Sequence, residues 1–225
     1  MFRSESFRFD CRLAGLSYMG LAITGLLGFL MVRGDLYVEL DPARTLANLA
    51  ERESLARIGI ALELAIATCQ ALAAVWFAKL FRETDAFAAG ALALFGMVNA
   101  VVILASAAMM GTALDVALGS SGVDPKLSHL MFKISGQFWQ VGNIFFGLWL
   151  VPMGWLTWKA SFGHRALGWI LIVGGAAYVL SAFIAPLVPD AGGWIGLLPM
   201  VGTVGEFWMI GLLLWTGLRP QKAGN

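Results

Sequence analysis

Apolar residues in this chain come in six long runs separated by short polar stretches: about 11–32, 55–80, 87–114, 128–158, 166–188 and 195–218. Each run reaches the roughly 20 residues a helix needs to cross about 30 Å of hydrocarbon. The stretches between them are too short to hold a soluble domain. The pattern predicts an all-α, polytopic membrane protein, a single membrane domain over 1–225 built as a six-transmembrane-helix bundle. Short connections make consecutive helices antiparallel neighbours.

The longest connection carries its own pattern. Asp41 followed by Pro42 reads as a helix cap with proline at the first helical position, and Leu46, Leu49 and Ala50 recur on one side of the helical segment they open. The expectation is a short amphipathic outer-loop helix between helices 1 and 2, lying at the membrane surface. The first apolar run comes after Arg3, Arg8 and Arg12, as in a secretory leader, but Met31-Val32-Arg33-Gly34-Asp35 has no small-x-small cleavage site. It reads as a retained helix.

Composition agrees with the pattern: 59% of residues are hydrophobic, 13% are charged and the mean hydropathy is +0.79. A soluble domain of this length is less apolar and more charged. Of the 15 Lys and Arg, nine fall on one side of the runs (Arg3, Arg8, Arg12, Lys79, Arg82, Lys159, Arg165, Arg219, Lys222). The other six (Arg33, Arg44, Arg52, Arg57, Lys126, Lys133) fall on or near the opposite side. This bias puts both termini in the cytoplasm. Asp190 is among the acidic residues on the outer side. A net charge of +1 without a basic tract argues against a nucleic-acid partner. Cys11 and Cys69 form no disulfide framework and have no metal-ligand spacing, and no cofactor is implied.

Polar residues inside the runs give the candidate site. On the fourth run His129, Lys133, Gln137, Gln140 and Asn143 share an arc of about 120°, together with Gly136 and Gly147. Hydrocarbon does not solvate ammonium or amide groups, so this stripe is expected to face the bundle interior or trapped water. At 1.5 Å per residue, Lys133 lies roughly 8 Å from the outer surface, Glu63 roughly 12 Å and Glu206 roughly 15 Å. Asn99, Gln70, Gln140 and Asn143 lie deeper, at roughly 18 to 22 Å. Four helices supply these groups, which suggests one cavity opening outward, with Lys133 paired to Glu63, Glu206 or both. The candidate ligand-binding residues are therefore Lys133, Glu63, Glu206, Gln137, Gln140, Asn143, Asn99 and Gln70.

A cavity of that lining suits a small amphipathic or lipid-like molecule, Lys133 meeting an anionic group. Two alternatives use the same residues: a membrane-embedded enzyme with Glu206 or Glu63 as acid or base, and a small transporter with hinges at Pro152, Pro186 and Pro199. The first has no nucleophile and base pair, metal cluster or cofactor loop behind it.

Several motifs resemble the bacterial integral-membrane family known as domain of unknown function 4386. They are Arg12 with Gly15; Asp41-Pro42-Ala43 with Thr45; Asn48-Leu49; and Arg57 through Leu64. Phe145 through Leu150 and Leu167 through Leu171 match further segments. The similarity runs over nearly the whole chain and implies six membrane helices; it supplies no activity, substrate or cofactor. Trp149 stands where the family pattern has His, so no imidazole role carries over to that position.

Overall fold

The computed structural model describes residues 5–119, 122, 124–188 and 192–219. Three charges assigned to sides of the membrane, Arg3, Asp190 and Lys222, lie outside the described residues. All regular structure among the described residues is helical. Helix α1 (Glu5–Leu27) runs through a π-helical turn (Gly28–Arg33) into the short α2 (Gly34–Leu36). Next come α3 (Pro42–Glu51), α4 (Glu53–Phe81), α5 (Ala86–Leu118), α6 (Pro125–Lys159) and α7 (Arg165–Leu187). A 3-10 turn (Gly192–Leu197) leads into α8 (Met200–Leu218). Among the described residues, six helical stretches are long and apolar enough to cross a membrane.

The helices extend beyond the apolar runs at several ends because polar residues cap them. At α6, Pro125 takes the first turn, where its missing N–H costs nothing, and Asp124 Oδ1 accepts from Lys126 N–H at 2.9 Å. At α7, His164 Nδ1 accepts from Ala166 N–H at 3.1 Å. At α3, Asp41 Oδ1 accepts from Arg44 N–H at 2.9 Å, with Pro42 at the first helical position. The buried side of α3 is not the expected Leu46, Leu49 and Ala50: Thr45, Asn48 and Leu49 are buried, Leu46 is half-buried and Ala50 is exposed. The polar pair turns inward because it satisfies backbone groups of the preceding loop. Thr45 Oγ1 bonds to Val38 N–H at 3.1 Å, and Asn48 Nδ2 donates to Leu36 O at 3.3 Å.

The chain divides into two compact units. The first comprises Met1–Met19, Gln70–Val98 and Asn143–Asn225; the second comprises Gly20–Cys69 and Asn99–Gly142. Helices α6, α7 and α8 pack through glycines within the first unit. A Cβ added at Gly147 would strike the Gly175 carbonyl oxygen, one at Gly154 the Gly168 carbonyl, and one at Gly174 the backbone of Gly202. Without side chains at these positions the helix backbones approach closely, which in a membrane replaces the missing hydrophobic drive with dispersion contacts.

The loop before α5 is tied to the end of α6 in the same unit. Asp85 Oδ2 accepts from Lys159 Nζ at 2.8 Å and from Trp155 Nε1 at 3.4 Å, while its Oδ1 caps α5 through Ala88 N–H at 3.1 Å. The Lys159 ammonium, the Ala88 N–H and the Trp155 indole together hold this carboxyl down at about 2, below its usual value near 3.8. A carboxyl depressed on folding adds stability above its unfolded pKa, and that contribution disappears as pH falls through the folded value. The melting-temperature advantage of the wild type over Asp85→Asn, measured in detergent, is therefore expected to persist at pH 5 and vanish between about pH 4 and pH 2.

Candidate functional site

The second unit is organised by a seam of small residues with a period of seven. On α5 these are Asn99, Ser106 and Ala113; on α6 they are Ser128, Ser135 and Gly142. Seven residues are nearly two helical turns, so each trio occupies one stripe. The two stripes meet antiparallel. Ser128 Oγ donates to Ala113 O at 2.8 Å, the Ser106 and Ser135 hydroxyls are 2.8 Å apart, and a Cβ at Gly142 would lie 3.6 Å from Asn99 Oδ1. Ser106 Oγ also donates to Ser135 O at 3.1 Å.

Arg33 enters this seam from the last residue of the π-helical turn. An extra residue within one turn changes the direction in which the next side chains leave the helix. The two hydrogens of its Nη2 are shared among Ser106 Oγ at 2.9 Å, Ser135 Oγ at 2.6 Å and Glu63 Oε1; its Nε donates to that carboxylate oxygen at 3.1 Å. Trp139 Nε1 adds a third donor to Glu63 Oε1 at 3.2 Å. Three rings surround the guanidinium: Phe132, Phe29 and Trp139 lie with their centroids 5.5, 5.9 and 6.0 Å from Cζ. Phe132 continues into a stack with Tyr37 and then His129, and His129 Nδ1 meets Thr45 Oγ1 of α3 at 3.2 Å.

The ion pair is nearly enclosed, with side-chain exposures of 14% for Arg33 and 4% for Glu63. A charge taken out of water at this depth is costly unless its partners are close and its remaining protons are bonded. Here the carboxylate, two hydroxyls and aromatic faces supply those partners. Two valences are left over. Glu63 Oε2 is buried without a hydrogen bond, and no described residue accepts from Arg33 Nη1.

The structure corrects the expected role of the α6 stripe. Lys133, Gln137 and Gln140 are exposed, and His129 and Asn143 are half-buried. The buried face of α6 is instead the small and aromatic one, Ser128, Phe132, Ser135 and Gly142. At 100° per residue Lys133 and Gln137 leave the helix roughly opposite Ser135. Long polar side chains extend away from the packed face, whereas the short serines satisfy one another within it. The expected pairing of Lys133 with Glu63 or Glu206 is likewise replaced: Arg33 holds Glu63, and Tyr18 holds Glu206. Arg33 was missed because a charge at the end of an apolar run reads as a loop residue. The seven-residue spacing of Asn99, Ser106, Ala113 and of Ser128, Ser135, Gly142 was the signal available.

Glu206 and Gln70 fall in a second polar cluster, within the first unit. Glu206 Oε1 accepts from Tyr18 Oη at 2.7 Å. The Tyr18 ring stands edge-on to Trp149 and Phe77, with centroids 5.4 and 5.6 Å away. Trp149 and Gln70 are fully buried, and neither amide atom of Gln70 has a hydrogen-bond partner among the described residues. Gly96 faces both: a Cβ there would lie 2.9 Å from Trp149 Cε3 and 3.2 Å from Gln70 Nε2. Asn99 Nδ2, in the second unit, is also buried without a partner. Among the described residues no three His, Cys, Asp or Glu side chains converge as metal ligands would, and both cysteines are free thiols.

Six apolar helices with an enclosed ion pair and unpartnered buried amides define a multi-pass membrane protein. The family model described as "Domain of unknown function (DUF4386)" matches residues 13–217, and the chain belongs to that family. No curated protein and no solved structure matches the chain.

Proposed function

We propose that the protein binds a small amphipathic molecule at the Arg33–Glu63 centre, on the outer side of the bacterial inner membrane, with both termini cytoplasmic. The observation that carries this reading is Glu63 Oε2, buried with no hydrogen bond among the described residues, on an ion pair whose Arg33 Nη1 meets no described acceptor. A molecule with one polar group able to accept from the guanidinium and donate to the carboxylate satisfies both. The rings of Phe29, Phe132 and Trp139 offer its apolar part a wall. Because Glu63 already neutralises Arg33, the centre favours a neutral or hydroxyl-rich head over a strong anion.

Lys133, Gln137 and Gln140 supply the approach in this reading. Gly136 lies between their arc and that of Ser135, and a Cβ there would come 3.8 Å from Arg33 Nη1. The exposed polar arc thus borders the free edge of the guanidinium. Glu206, Gln70, Asn143 and Asn99 are not part of the proposed site.

Native mass spectrometry of the protein released from mild detergent, with copurified molecules identified, tests the proposal. The wild type is expected to carry a small amphipathic molecule that the Arg33→Met/Glu63→Leu double variant loses while keeping its helicity and most of its stability. Equal retention by both proteins, or none by the wild type, rejects it. The double variant is preferred to either single change because it leaves no unpaired charge behind.

A further inference from the structure

Away from that centre, the first two turns of α1 border an open cavity of about 550 Å³ lined by Glu5, Ser6, Arg8, Phe9 and Arg12. We propose that this cavity binds the phosphate headgroup of an acidic membrane phospholipid. Among the described residues its lining carries two basic side chains, Arg8 and Arg12, and one acidic side chain, Glu5. Neither Arg12 nor Glu5 has an ion-pair partner among the described residues. Arg8 is held in place by donating from Nη2 to the Arg219 carbonyl, and its Nε is buried with no hydrogen-bond partner among the described residues. One cation is thus fixed at the wall, and the second has no ion-pair partner among the described residues. Guanidinium is the group best shaped for phosphate oxygens, which it can meet with two parallel donors.

The surroundings choose a lipid over a soluble ion. Phe9 stands edge-on to Trp76 at 6.1 Å, Lys79 lies over the Trp76 ring at 5.0 Å, and Arg219 lies over Trp215 at 4.7 Å. Aromatic rings interleaved with cations mark the level at which headgroups meet hydrocarbon. Lys79 is already committed to Asp10 at 2.8 Å, and Arg12 has no ion-pair partner among the described residues. One turn beyond Arg12 on the same face of α1, Leu16 is exposed and continues the cavity's edge as an apolar surface for an acyl chain. Basic residues at the end of a membrane helix attract acidic headgroups at the membrane surface.

The protein in detergent micelles is titrated with phosphatidylglycerol or phosphatidylcholine and the bound lipid is counted by native mass spectrometry. The wild type is expected to hold one phosphatidylglycerol in clear preference to phosphatidylcholine. Arg12→Gln is expected to weaken that binding about fivefold, the effect of one cation near a membrane surface, and Arg12→Lys to retain it. The Arg33→Met/Glu63→Leu variant keeps the preference, which separates this cavity from the Arg33 centre. An unchanged preference in Arg12→Gln, or equal binding of the two lipids by the wild type, overturns the proposal. Displacement of the lipid by millimolar inorganic phosphate assigns the cavity to a soluble anion and overturns it too.

Discussion

Glu63→Leu is expected to lower the stability of the folded protein by about 3–5 kcal/mol, the cost of leaving a buried charge without its partner. Arg33 then keeps only two hydroxyls and the faces of Phe29, Phe132 and Trp139 around a cation that is 14% exposed. Trp139 loses an acceptor in the same step. The pair as a whole contributes far less than either half suggests, because desolvating two charges offsets most of their attraction. Arg33→Met/Glu63→Leu is therefore expected to recover most of the loss. Denaturant titration of helicity in micelles, run as a double-mutant cycle, measures the coupling. A single-variant cost below about 1 kcal/mol would show that water reaches the carboxylate and that the pair is a surface one.

Gly174→Ala is the second large effect, with a cost of about 3 kcal/mol or more because the clash is with backbone. The added methyl falls on the Cα and N of Gly202, which no rotamer change moves aside. Gly211→Ala in α8 is the matched control. Nothing lies within 4 Å of a Cβ there, and alanine is the better helix former, so the change is expected to be neutral or slightly stabilising. Thermal unfolding of the two variants side by side separates loss of close helix approach from any general intolerance of side chains in α7 and α8.

Length and hydropathy made the spans legible, since a helix crossing hydrocarbon has to be about 20 apolar residues long whatever its neighbours. The Asp41 and Pro42 pair made the start of α3 legible for the same local reason. The rotation of each helix about its own axis was not legible in this way. In water the apolar face of a helix marks its buried side, but hydrocarbon outside the bundle removes that asymmetry. The polar residues of α6 then looked like the interior, when Lys133, Gln137 and Gln140 are exposed. The buried side is marked by smallness, in Ser128, Ser135 and Gly142, a weaker signal that gains force only when paired with the same spacing in α5. Glu63 is a buried carboxylate whose partner depends on the π-helical turn at Gly28–Arg33, which no single-residue preference announces.

A seam that repeats every seven residues has a weakness of its own. If α5 slid past α6 by one repeat, about 10.5 Å, small residues would again face small residues and dispersion alone would barely distinguish the two alignments. Arg33 breaks the tie. Its single Nη2 reaches a hydroxyl from each of the two helices while its carboxylate partner comes from α4, and only one axial alignment places all three together. The polar centre thus works as a latch on a sliding joint, and the residues proposed to meet a ligand are the same ones that set the register of the helices around it.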